Sequence, residues 1–126
     1  MNTALILSED ELYGLVASKS CDIPAPLLRL FDEMGVNLNK NRDIVSTLQE
    51  KRLAQWDGNS LKIEPLLNLI IDEAMAAQSI HTAKADVYAV ECPSMCLLIS
   101  RYEWAAGTWR IAPFQDMHAL LSSLTD

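Results

Sequence analysis

Two cysteines with three residues between them, Cys92 and Cys96, have the spacing in this chain that most resembles reactive chemistry. A C-x-x-x-C pair lies within the gap used by structural zinc sites, and His81 and His118 would have to supply the remaining ligands. Neither histidine stands at ligand spacing from another ligand, so no metal is predicted. A redox role would need a basic residue nearby to lower a thiol pKa, and none adjoins the pair. The two cysteines therefore read as small residues flanking a hairpin tip. Ser94, between Pro93 and Met95, lacks the glycines that frame a nucleophile elbow. Glycines stand at 14, 35, 58 and 107, too far apart for a phosphate-binding loop. The acid pairs Asp32-Glu33 and Asp72-Glu73 fall on expected helix surfaces, where solvated charge is the ordinary reading. No catalytic residue and no cofactor follow from these positions.

Binding is the remaining class, and two sets of residues could serve it. Arg42, Ser46 and Gln49, at helical spacing i, i+4, i+7, could face base edges, with Lys62 on a following wing. Between residues 40 and 64 stand Lys40, Arg42, Lys51, Arg52 and Lys62, nearly balanced by Asp43, Glu50, Asp57 and Glu64. The whole chain has a net charge of −7 and a pI near 4.7. Nucleic-acid affinity draws on cations that displace counterions at phosphates, so nucleic acid is a disfavoured partner, and an anionic membrane surface is disfavoured with it. The second set is Tyr102, Trp104, Trp109 and Arg101, since large aromatics beside an arginine are typical anchors of protein interfaces. Alternation along a strand would put Tyr102 and Trp104 on one side and Arg101 and Glu103 on the other. Tryptophan in a small sheet is also common in the core, and the pattern leaves both readings open.

The elements that position these residues are legible from caps and periodicity. Ser8 and Glu11 form an S-x-x-E capping box, with Leu7 and Leu12 at staple positions, opening a helix that ends near residues 18–20. Pro24 or Pro26 starts a second helix carrying Leu27, Leu28, Leu30 and Phe31, and Gly35 stops it. After a polar loop at 37–41, a third helix spans roughly 42–53. Ala54 to Trp56 and Ser60 to Ile63 flank Asp57-Gly58-Asn59 as a wing-like hairpin. Pro65 opens a fourth helix so apolar that it should be covered on more than one side. From residue 80 the pattern turns to strands at 87–92, 97–102 and 108–112, with Pro113 closing the last and a final helix carrying Met117, Leu120, Leu121 and Leu124.

The expected fold is therefore α+β: a single domain with a winged-helix-like helical portion, residues 1–79, packed with a three-stranded antiparallel β-meander and a C-terminal helix, residues 80–126. With 126 residues it can bury roughly two-thirds of its unfolded surface, so no disulfide or metal is needed for stability. The opening Met1 to Leu7 lacks a basic region and does not resemble a secretory signal. An odd cysteine count and the absence of a long apolar run complete the expectation of a cytoplasmic protein with free thiols.

The order of elements, the segment Leu7-Ser8-Glu9-Asp10-Glu11-Leu12-Tyr13-Gly14-Leu15, and the segment Trp56-Asp57-Gly58-Asn59-Ser60-Leu61-Lys62-Ile63 before a leucine-rich helix resemble the amino-terminal half of ESX (type VII) secretion-associated chaperone and adaptor proteins. Members of that family carry two comparable halves. The resemblance implies a non-catalytic, chaperone-like adaptor that binds a secreted effector or substrate protein, with two copies pairing as a homodimer. Two alternatives stand beside it: a winged-helix transcriptional regulator reading DNA through Arg42, Ser46, Gln49 and Lys62, and an immunity protein that blocks an effector.

Overall fold

Near the start of the described residues a strand runs directly into a helix. β1 (Leu5–Ser8) buries Leu5 and Leu7, and α1 (Glu9–Lys19) follows without a loop. In this computed structural model, which describes residues 4–19, 22–36 and 44–124, the junction is held by the capping box. The Glu11 N–H donates to Ser8 Oγ at 3.1 Å, and the Ser8 N–H donates to Glu11 Oε1 at 2.8 Å, so two otherwise orphaned donors are satisfied locally.

α2 (Ala25–Met34) has proline in its first turn and ends at Gly35, whose φ of 79° is costly for any residue with a Cβ. The Val36 N–H reaches back to the Phe31 carbonyl at 3.0 Å, which completes the stop. α3 (Val45–Glu50) is shorter than the helix expected over 42–53. Arg52 takes the left-handed position at its end, φ 62°, and the Leu53 N–H bonds the Leu48 carbonyl at 2.8 Å. A glycine would mark such a stop in the sequence; an arginine there conceals it. Arg42, Cys21 and the polar loop at 37–41 lie outside the described residues.

β2 (Ala54–Asp57) and β3 (Ser60–Ile63) form a two-stranded hairpin. Positive φ occurs at Gly58 and not at Asn59, so the turn is of type II′ with glycine at its first central position. Glu64 caps α4 (Pro65–Met75) by accepting the Leu67 N–H at 2.9 Å. Only one stripe of α4, Leu67, Ile70, Ile71 and Ala74, is buried, and Leu69 is 47 % exposed. The expectation of cover on several sides fails because neighbouring elements meet that one stripe.

The remaining elements are β4 (Ser79–Lys84), β5 (Val87–Glu91), β6 (Cys96–Arg101), β7 (Thr108–Phe114) and α5 (Met117–Ser123). The fold is α+β, but the main sheet has five antiparallel strands in the order β1-β7-β6-β5-β4 rather than three. The expected three-stranded unit is not a sheet of its own: β5, β6 and β7 overlap the strands expected at 87–92, 97–102 and 108–112, but they lie inside the larger sheet with β4 and β1 at its edges. β1 joins β7 through Leu5↔Ile111 to Ser8↔Thr108, so a strand from the beginning of the chain completes a sheet made near its end. Pro113 lies inside β7, opposite Leu97, and beyond the point where β1 pairing stops at Ile111. A residue without an N–H is tolerated there because the strand has a single neighbour.

The two faces of the sheet carry different cores. Leu7, Trp109, Ile111, Ile99, Leu97, Tyr88, Val90 and Ile80 pack with the buried stripes of α1, α2 and α4. On the opposite face Ala89, Leu98, Ala112 and Cys96 receive Leu120 of α5, and the two alanines leave room for its close approach. No helix among the described residues is long and apolar enough to cross a membrane.

Candidate partner-binding surface

One end of the sheet gathers the β4–β5 turn, the β6–β7 connection and the start of α1. Backbone bonds fix the three together: the Arg101 N–H donates to the Asp86 carbonyl at 3.1 Å, the Tyr102 N–H to the Thr108 carbonyl at 2.9 Å, and the Glu9 N–H to the Gly107 carbonyl at 2.9 Å. Asp86 sits at φ 61°, a left-handed conformation that aspartate tolerates better than most residues.

Regular alternation stops at Arg101, where β6 ends, so the expected sides for Tyr102 to Trp104 do not apply. Register pairs Arg101 with Trp109 on one face. The guanidinium lies 4.5 Å from the centroid of the Trp109 ring, a cation–π stack, and forms an ion pair with Asp86 at 3.3 Å. The hydrogen bond to Asp86 is the main reason that the Arg101 pKa is raised, keeping the cation charged. Trp109 has no exposed surface. Its indole N–H donates to Glu9 Oε1 at 3.5 Å, and the Tyr88 ring lies 6.0 Å away. Tyr88 is tied in turn through its hydroxyl, which donates to the Glu33 carbonyl at 3.0 Å, and burial raises its pKa.

The four residues singled out from sequence thus divide. Trp109 belongs to the core, because its strand face is the one that α1 and α2 cover. Trp104, in the connection beyond β6, is 83 % exposed, and Tyr102 is half-buried. Arg101 links the two levels, with one side on Trp109 and its charge toward Asp86.

The residues considered for chemistry are placed differently. Cys92 and Cys96 flank the Pro93-Ser94 tip, which the Cys92 N–H closes on the Met95 carbonyl at 2.9 Å, but they pack in opposite cores. Burial pushes the Cys92 thiol up to about 12 and raises Cys96 as well, so both are held as neutral thiols. His81 and His118 are both exposed, and His81 Nε2 lies 3.1 Å from Ser79 Oγ. Among the described residues no three histidine, cysteine or acidic side chains come together as metal ligands. Ser94 offers its backbone N–H to Glu73 at 2.7 Å, while Asp72 pairs with Lys19 at 3.0 Å. On the hairpin Lys62 is paired with Asp57 at 2.7 Å, and Trp56 is 53 % exposed. Ser46 and Gln49 are exposed on α3.

A buried ion pair had no signal in the sequence. Glu11 is 1 % exposed, and its Oε1 accepts from Lys51 Nζ as well as from the Ser8 N–H. Lys51 Nζ also reaches the Ile6 carbonyl at 3.3 Å, so one ammonium joins β1, α1 and the end of α3. Burial alone would raise the Glu11 pKa; opposed chiefly by the hydrogen bonds from Lys51 and the Ser8 N–H, it is outweighed, and the carboxyl is held below its ordinary range. Capping chemistry predicted the Ser8 contact, but forty residues separate Glu11 from Lys51.

Comparison of the chain with protein-family models, with curated proteins and with solved structures finds no match in any of the three.

Proposed function

We propose that this protein is a non-catalytic protein-binding module, a chaperone-like adaptor of the kind suggested by the resemblance to type VII secretion-associated proteins, acting in the cytoplasm. The observation that carries the reading is Trp104, an indole left 83 % exposed on a short connection whose base is tied by backbone hydrogen bonds. A large aromatic standing open beside an arginine is the residue type that anchors protein interfaces. The base is held by the Arg101–Trp109 stack and the Arg101–Asp86 pair, so ordering the anchor on binding requires little rearrangement. Arg101 and Tyr102 complete the surface, and Trp109 supports it from below.

The winged-helix regulator reading has less support. Lys62 is neutralised by Asp57, Lys51 is engaged with buried Glu11, and α3 has fewer than two turns with which to enter a groove.

The test is affinity capture from the native cell with wild type and Trp104→Ala side by side, followed by affinity measurement on the captured protein. An interface tryptophan of this kind contributes about 2 kcal/mol or more, so binding should weaken about thirtyfold with no change in thermal melting. Equal capture by both proteins would remove Trp104 from the site, and retention of DNA rather than protein would favour the regulator.

A further inference from the structure

The main sheet has two edge strands: at β1 Lys51 Nζ already reaches the Ile6 carbonyl at 3.3 Å, and at β4 the backbone bonds of the neighbouring strands determine which groups are free. The Cys92 N–H bonds the Met95 carbonyl and the Arg101 N–H bonds the Asp86 carbonyl. In an antiparallel ladder this alternation directs Tyr88 and Val90 toward β6, and Val87, Ala89 and Glu91 toward β4. Ser79 and His81, opposite Glu91 and Ala89, therefore face β5. Ile80 and Thr82 direct their N–H and C=O groups outward, and among the described residues neither backbone finds a partner.

We infer that two copies of this chain join antiparallel along β4, with His81 of each opposite its counterpart at the two-fold axis, making one sheet of twice five strands. This inference goes beyond the adaptor reading and does not depend on it. In that register the Ile80 N–H meets the Thr82 carbonyl of the other copy and the Thr82 N–H meets the Ile80 carbonyl, and symmetry repeats both bonds. Every exposed polar group of the straight part of the edge is then satisfied. The bulge between Thr82 and Lys84 ends the ladder, so no longer strand would gain further bonds.

Charge selects a second copy as the occupant. The edge strand Ser79–Lys84 contains no acid in a chain of net charge −7, so it is a segment where two such chains approach with little repulsion. Its two ends are complementary. At the start, Ser79 Oγ donates to Glu91 Oε1 at 3.0 Å, placing a carboxylate beside the edge; at the other end stands Lys84. Ser79, His81, Glu91 and Lys84 lie on the same face, because their partners alternate with those of Ile80 and Thr82. Antiparallel pairing about His81 brings the Lys84 end of each strand alongside the Ser79–Glu91 end of the other, so a cation meets a carboxylate twice. On the opposite face Glu33, which accepts from Thr82 Oγ1 at 3.2 Å, is already paired within its own chain with Arg29 at 3.9 Å.

Sedimentation equilibrium should give twice the 14.0 kDa of the chain for wild type. Thr82→Pro, which deletes an outward N–H and leaves the β5 ladder intact, should give 14.0 kDa with melting unchanged. Lys84→Glu and Glu91→Lys should each raise the dissociation constant about tenfold, and the double exchange should restore it. In a Cys21→Ser background, His81→Cys should form an intermolecular disulfide under mild oxidation much faster than Thr82→Cys, since directly opposed non-hydrogen-bonded residues are within disulfide reach. These last two measurements decide the matter if Thr82→Pro does not fold. Wild type remaining at 14.0 kDa at its highest soluble concentration, or charge exchange without restoration, would overturn the inference.

Discussion

Replacing Lys51 by methionine removes the ammonium and keeps the stem of the side chain. Glu11 would then stay 1 % exposed, with Ser8 as its remaining main-chain donor and with Oε2 lacking any hydrogen-bond partner in the wild-type geometry. Breaking a wholly buried ion pair by removing one partner costs about 3–5 kcal/mol. Lys51 keeps 37 % of its side-chain surface, so water can partly replace the ammonium, and the expected loss at neutral pH is about 2 kcal/mol. For a domain of this size that is a fall in Tm of roughly 6–10 °C. The sign of the pH dependence gives a sharper check. In wild type the Glu11 pKa is depressed, so its stabilisation is complete above the ordinary carboxylate value of 4.5 and is lost as pH falls through the lower folded value. Burial is already the largest single influence on Glu11, and without Lys51 it loses its strongest opponent, so the folded pKa is raised above its wild-type folded value. The variant's folded state then gains a proton more readily, so its deficit should shrink as pH falls through that raised value. Urea unfolding of both proteins at neutral pH and near pH 4.5 measures the two differences. A deficit below about 0.5 kcal/mol, or one that does not narrow on acidification, would refute the reasoning.

Trp109→Ala should cost about 3–5 kcal/mol in urea unfolding, because it empties a fully buried site beneath Arg101 and beside Tyr88, whereas Trp104→Ala should leave the midpoint unchanged. Arg52→Gly should raise stability by up to about 1 kcal/mol in the same assay, since φ 62° is strained for arginine and free for glycine. In a Cys21→Ser background, a disulfide-exchange reagent at pH 8 should react with neither Cys92 nor Cys96 until denaturant is added, because burial keeps both thiols protonated and covered.

The capping box, the proline start and glycine stop of α2, the hairpin turn at Gly58 and the three inner strands were all legible from sequence. The edge strands were not. β4, Ser-Ile-His-Thr-Ala-Lys, has no strong alternation, and Leu5 to Ser8 read as the approach to a helix. The end of α3 was misplaced because Arg52 does the work usually given to glycine. At the candidate surface, the aromatic residues were identified but their depths were not: Trp104 and Trp109 are five positions apart and have opposite exposures.

Caps, turns and stripes belong to the sequence alone because each satisfies a backbone demand within a few residues, where the chain cannot avoid meeting itself. Partnership and depth belong to the tertiary structure. β1 pairs with a strand a hundred residues away, Cys92 and Cys96 separate onto opposite faces, and Glu11 finds Lys51 at a distance no periodicity marks. Burial depends on which distant segment arrives to cover a side chain, and that is settled only when the whole sheet and the helices on its faces close together.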